Sequence, residues 1–122
     1  MQPKKFSWHG RLKSFLFAFE GLAFFFRREH NAWIHGVATV LVLLAAMIAQ
    51  VSRLEIIAIL LVIGLVWISE MFNTAIEKMM DHFSPQRHPD IKAIKDIAAG
   101  AVLIAACSAF ITGLIIFIPK IL

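Results

Sequence analysis

Residues 54–81, LEIIAILLVIGLVWISEMFNTAIEKMMD, decide how the chain folds. From Ile56 to Ile68 the run is purely apolar. Glu70, Asn73, Glu77 and Asp81 then enter at spacings of three and four residues. At about 100° per residue these four gather on one side of a helix. The expectation is one helix over 54–81 whose apolar part crosses a membrane and whose last third carries a polar stripe. The whole chain agrees with that solvent. Its 122 residues are 60% hydrophobic and only 16% charged, and a chain this short has too little interior to hide so many apolar side chains from water.

Two further spans flank this one. Residues 32–51 supply about twenty residues, enough for a hydrocarbon core of about 30 Å, with Trp33 as an interfacial aromatic. Around Ser52 and Arg53 only a residue or two remains as a link, so spans one and two form a tight antiparallel hairpin. The third span covers 97–118 and is expected to stop at Pro119. It is rich in small residues, among them Ala98, Gly100, Ala105, Ala109 and Gly113, which permit close helix approach and favour a homo-oligomer. His82 to Asp90, with Pro85 and Pro89, reads as a loop. Upstream, Trp8, Leu12, Phe15, Phe19, Leu22 and Phe26 form one stripe of a helix over 6–28 that charges interrupt too often for a span. It is expected to lie along the membrane interface. The fold class is therefore all-α: three transmembrane helices in a single domain, 1–122, plus an N-terminal amphipathic surface helix.

Charge placement orients this architecture. Lys4, Lys5, Arg11, Lys13, Arg27 and Arg28 precede the first span, and Arg87, Lys92 and Lys95 lie between the second and third. The other connection holds only Arg53 and the C-terminal end only Lys120. The N-terminus and the second connection are thus expected in the cytoplasm, and the C-terminus outside. Net charge is +4, yet no basic face interleaved with base-stacking groups stands clear of lipid, so nucleic acid is not an expected partner. Cys107, the only cysteine, reads as a packed membrane thiol. A removable signal peptide is not expected either, because no small-residue cleavage site accompanies the first apolar run.

Intramembrane carboxylates are costly unless paired or hydrated, and they mark function by default. Three carboxylates and an amide on one stripe call for cations. Hard oxygen ligands favour Mg²⁺, which normally also takes phosphate oxygens. The same stripe could instead line a helix interface or a water-filled vestibule. Glu29, in Arg27-Arg28-Glu29-His30-Asn31, suits a ligand or a membrane-edge charge. Lys95-Asp96 is expected to open the third helix, where free backbone N–H groups favour phosphate. The plainer reading makes Asp96 a helix-start carboxylate and Lys95 a headgroup anchor.

The pattern Glu70-x-x-Asn73-Thr-Ala-Ile-Glu77-x-x-x-Asp81, with Glu29 upstream and Lys95-Asp96-Ile-Ala-Ala-Gly100 downstream, resembles the prokaryotic diacylglycerol kinase family, which includes undecaprenol kinases. The resemblance runs from about Arg11 to Lys120. It implies an integral membrane kinase of the bacterial inner membrane that transfers the γ-phosphate of ATP to a lipid alcohol, giving undecaprenyl phosphate or phosphatidic acid. It also implies a domain-swapped homotrimer with active sites between neighbouring subunits at the cytoplasmic surface. On the matching positions Glu29 and Glu77 would hold the Mg²⁺–ATP phosphates, and Asn73, Lys95 and Asp96 would help bind nucleotide. Glu70 would be the general base on the lipid hydroxyl. Asp81 and Arg11 match positions near lipid or nucleotide.

Phosphoryl transfer needs chiefly positioning and charge neutralisation, which a metal, a lysine and a carboxylate base supply. The chain has neither a Gly-x-x-x-x-Gly-Lys-Ser/Thr loop nor a Gly-x-Gly-x-x-Gly motif. Within the family, Ser84-Pro85-Gln-Arg-His88-Pro89 and the ending from Gly113 to Lys120 lean toward the undecaprenol kinase branch. The rival reading is a small oligomeric transporter with Glu70 as its coupling carboxylate. Against it, a transporter wants its carboxylate near the midplane and often alone, whereas this stripe continues outward toward Lys95-Asp96. His30, His35, His82 and His88 contain no i, i+4 pair on one helix of the kind a zinc site favours, and His35 reads as a buried hydrogen-bonding residue.

Overall fold

The computed structural model describes residues 5–83 and 88–122, and every element among them is a helix. In chain order these are α1 (Trp8–Arg28), α2 (His30–Ala49), α3 (Arg53–Phe83) and α4 (Pro89–Ile121). Helices α2, α3 and α4 are each long and apolar enough to cross a membrane. Lys4 and the loop residues 84–87, with Pro85 and Arg87, lie outside the described residues. The chain divides into two compact units, Met1–Ala38 and Thr39–Leu122.

In the first unit Ser7 starts α1. Its Oγ accepts the Gly10 N–H at 3.3 Å, so one of the four N–H groups that a helix start leaves open is satisfied. Arg27 and Arg28 close the helix, where positive charge suits the negative end of the dipole. Trp8, Leu12, Phe15 and Phe19 stand exposed along it, the amphipathic stripe that the spacing predicts. Glu29 then breaks the helix with extended backbone, φ −110° and ψ 121°. Its N–H still donates to the Phe25 carbonyl at 3.1 Å, and its carbonyl accepts from Ala32 at 3.2 Å. One residue thus ends α1 and sets off α2.

In the second unit the hairpin between α2 and α3 is built from two caps. The Val51 N–H reaches back to the Ala46 carbonyl and the Gln50 N–H to that of Met47, both at 3.3 Å. Gln50 takes φ 51° between them, the left-handed residue of a Schellman motif. Ser52 and Glu55 then form a reciprocal box: the Ser52 N–H donates to Glu55 Oε1 at 2.8 Å, and the Glu55 N–H to Ser52 Oγ at 3.1 Å. Lys120, from the far end of α4, pairs with Glu55 Oε1 at 3.1 Å. Beside these caps Ala46, Ile59 and Ile116 meet as a buried core contributed by all three helices.

Farther along, Trp67 Nε1 donates to Thr39 Oγ1 at 3.0 Å, tying α3 to α2. Helix α4 packs along α3, with Ala98 and Ala105 buried seven residues apart.

The helix ends shift by one or two residues in α1, which starts at Trp8 rather than residue 6, in α2, which runs His30–Ala49 rather than 32–51, and at the start of α3, Arg53 rather than residue 54; the other differences lie at both ends of α4 and at the end of α3. Helix α4 starts at Pro89, well before residue 97, because proline suits the first turn of a helix and the His88 side chain caps it by accepting the Asp90 N–H at 3.1 Å. It also continues through Pro119 to Ile121. Proline there removes one N–H in a final turn, and the Leu122 N–H still closes on Ile118 at 3.1 Å. Helix α3 extends past Asp81 to Phe83. Its 31 residues amount to about 46 Å at about 1.5 Å each, well beyond a hydrocarbon core of about 30 Å.

Candidate functional site

The last third of α3 carries the site. Glu70 is the one buried charged residue among those described, 6% exposed. One turn on, the Asn73 amide nitrogen faces Glu77 Oε1 across a long 3.5 Å. A carboxylate can only accept, so that contact requires the NH₂ group on the Glu77 side. The other half of the amide, Asn73 Oδ1, is buried and has no hydrogen-bond partner among the described residues. A buried acceptor without a donor costs about 1–3 kcal/mol, and such a group in a polar stripe calls for a ligand, an ion or water to complete it.

Asp81 lies one turn beyond Glu77, and there α4 joins the stripe. Lys95 Nζ donates to Asp81 Oδ1 at 2.5 Å, across the two helices. On α4 itself Lys92 Nζ donates to Asp96 Oδ2 at 2.6 Å, an i, i+4 pair. Five of the residues singled out by sequence are thus assembled in the second unit: Glu70, Asn73, Glu77 and Asp81 in register on α3, with Lys95 closing the row. Asp96 points instead to Lys92.

Glu29 and Arg11 belong to the first unit. Glu29 is half-buried at the break between α1 and α2. The Arg11 guanidinium lies over the Phe6 ring, 5.4 Å from its centre.

The residues matched by the prokaryotic diacylglycerol kinase family are 16–117, most of the chain. An undecaprenol kinase of Bacillus subtilis is 41% identical over 108 residues, 88% of each chain. A diacylglycerol kinase of Synechocystis is 36% identical over 112 residues, which is 91% of this chain and 64% of that protein. The chain belongs to the prokaryotic diacylglycerol kinase family. Membership in this kinase family gives the transporter reading of Glu70 no support.

Lys95 and Asp96 do not open a helix; they lie about two turns into α4, beyond its N-terminal N–H groups. Any phosphate held by Lys95 is therefore held by its ammonium rather than by free backbone amides.

Three further side-chain pairings join or cap these helices. Lys92–Asp96 has the i, i+4 spacing, which becomes a helical pair because α4 starts at Pro89. Ser52-x-x-Glu55 has the capping-box spacing. Trp67, an indole N–H in an apolar run, needed an acceptor that nothing in the sequence singles out.

The residues fit a magnesium ion. Mg²⁺ keeps several waters and takes one or two carboxylates together with substrate phosphates. Glu77, exposed beside the unsatisfied Asn73 oxygen, offers hard oxygen donors of that kind.

Proposed function

We propose that this membrane lipid kinase transfers the γ-phosphate of ATP to the hydroxyl of undecaprenol, with diacylglycerol as the second choice of acceptor. The single observation that carries the reading is the α3 row: a buried carboxylate at Glu70, an unsatisfied amide oxygen at Asn73, an open carboxylate at Glu77, and the Lys95 ammonium drawn to its end by Asp81. The ranking of acceptors follows the undecaprenol kinase relative, whose likeness covers 88% of both chains.

Glu55 and Lys120 lie together at one end of the α3–α4 pair, which we assign to the outer face of the membrane. Counted from there, about twenty residues cross the hydrocarbon core. Glu70 and Asn73 then fall just inside the cytoplasmic edge, while Glu77, Asp81 and Lys95 lie in the headgroup layer. A lipid hydroxyl at the bilayer surface meets Glu70 at that depth, and ATP arrives from the water beyond.

Glu70 accepts the hydroxyl proton as the lipid oxygen forms its bond to the γ-phosphorus. The bond from that phosphorus to the bridging oxygen breaks, and ADP leaves. Glu77, with Glu29, would hold Mg²⁺, which when bound neutralises phosphate charge. Lys95 supplies a fixed positive charge to the phosphates, and Asp96 helps hold the nucleotide. The assembly we propose is a homotrimer with its sites at the cytoplasmic surface between neighbouring subunits.

Purified protein in lipid, with Mg²⁺ and labelled ATP, tests this when offered undecaprenol and diacylglycerol separately. Labelled undecaprenyl phosphate is expected. Removing the base in Glu70→Gln should lower kcat about 10²- to 10⁴-fold, while Glu77→Gln should raise the KM for Mg²⁺–ATP so far that no transfer is measured at the concentrations that saturate the wild type. Phosphatidic acid as the preferred product would move the assignment to diacylglycerol. No lipid product from a folded oligomer would sink both acceptors.

A further inference from the structure

Among the described residues, an ion pair joins α3 to α4 at each end of the packed pair. Glu55 with Lys120 closes one end at 3.1 Å, and Asp81 with Lys95 closes the other at 2.5 Å. The pairs are 26 residue steps apart along α3 (81 − 55) and 25 along α4 (120 − 95), each about 38 Å of helix at about 1.5 Å per step. As clips of helix register the two pairs are equivalent. Their surroundings are not. Only Asp81 continues the row of Glu70, Asn73 and Glu77, one turn beyond Glu77.

We infer that Asp81 is a positioning residue: it holds the Lys95 ammonium at the end of the α3 row, ready for the nucleotide phosphates. The chemistry of the pair permits both roles at once. An ammonium carries three N–H donors and no acceptor, so the bond to Asp81 uses one and leaves two for phosphate oxygens. The pair is also open to an incoming anion, the Lys95 side chain being 35% exposed and that of Asp81 66%.

Lysine has a long side chain with about 2 kcal/mol of rotamer entropy. Drawn across to α3 by Asp81, it is ordered before the nucleotide arrives. Without Asp81 the Lys95 ammonium is no longer drawn across to α3, while Asp96 on its own helix is turned to Lys92, and binding must order the lysine anew. The inference rests on the kinase reading above, with Lys95 as a phosphate ligand.

The experiment compares Asp81→Asn with Glu55→Gln, each removing one charge from one clip. The measurements are KM for ATP, KM for lipid, kcat, and thermal stability in the same detergent. Asp81→Asn should raise the KM for ATP about three- to tenfold, the cost of ordering one long side chain on binding, and leave the lipid KM unchanged. Asp81→Glu, which keeps the anion, should recover most of that loss. Glu55→Gln should lower stability at least as much and leave the ATP KM alone.

Binding of a non-hydrolysable ATP analogue without lipid should follow the same order, and it reads the effect even where turnover is too slow to measure. If both single variants shift the ATP KM alike, or neither shifts it, the pair is only a clip and the inference is overturned. Inactive wild-type protein overturns the kinase reading and the inference together. An active wild type with an unchanged Asp81→Asn overturns the inference alone.

Discussion

Gln50 is held where an L-residue is least at ease. Its φ of 51° brings the side chain's first carbon close to the following carbonyl, a conformation that costs roughly 1–2 kcal/mol outside glycine. The Schellman bonds from Val51 and Gln50 to the last turn of α2 require it, and the hairpin cannot reverse without them. Glycine fits there without that penalty, though it also gains freedom in the unfolded chain, which takes back about 0.5–1 kcal/mol. Gln50→Gly is therefore expected to stabilise the protein by about 0.5–1 kcal/mol, and Gln50→Val to destabilise it. Thermal unfolding in detergent measures both; a glycine variant that melts lower would show that the turn relies on the glutamine side chain.

At the scale of the element, what the sequence makes legible follows from what periodicity can and cannot encode. The register of Glu70, Asn73, Glu77 and Asp81 on α3 is local, fixed by their spacing, and the helix carries it as read. The partners of that row are not local. Lys95 reaches Asp81 only because α4 begins at Pro89 and packs antiparallel along α3, and the early start depends on a His88 cap. Histidine is not among the residues usually sought at helix starts, so the sequence alone starts the helix too late and offers the wrong amides to phosphate.

Trp67 illustrates the same limit. Its indole finds Thr39, 28 residues earlier on α2, at 3.0 Å, one turn before Glu70. Hydrogen bonds between membrane helices average about 0.6 kcal/mol and reach about 1.7. Trp67→Phe and Thr39→Val should each destabilise the protein by an amount in that range. In a double-mutant cycle the pair should cost no more than either alone. Full additivity would mean that the two side chains act separately.

For the whole molecule, the open question is what covers its apolar helices. Gly100 and Gly113 on α4, and Gly64 on α3, have nothing within 4 Å of where a Cβ would stand, so packing within one chain does not explain their small size. Helices of further copies could approach there closely. The two proposed metal ligands also sit in different compact units, Glu29 in the first and Glu77 in the second. If a site takes Glu29 from one subunit and Glu77 from its neighbour, two inactive variants can repair each other. Mixing Glu29→Gln and Glu77→Gln subunits in equal amounts, unfolding and reassembling them, gives each site an even chance of either subunit on both sides. About a quarter of the sites then receive both native residues in a closed symmetric ring, so activity should return to about a quarter of the wild-type level. A site built within one subunit would remain inactive at every mixing ratio, because every chain carries one of the two substitutions. Recovery near a quarter, rising from zero at either pure variant, would locate the active site between subunits, whereas a flat zero from well-formed mixed oligomers would return it to a single chain.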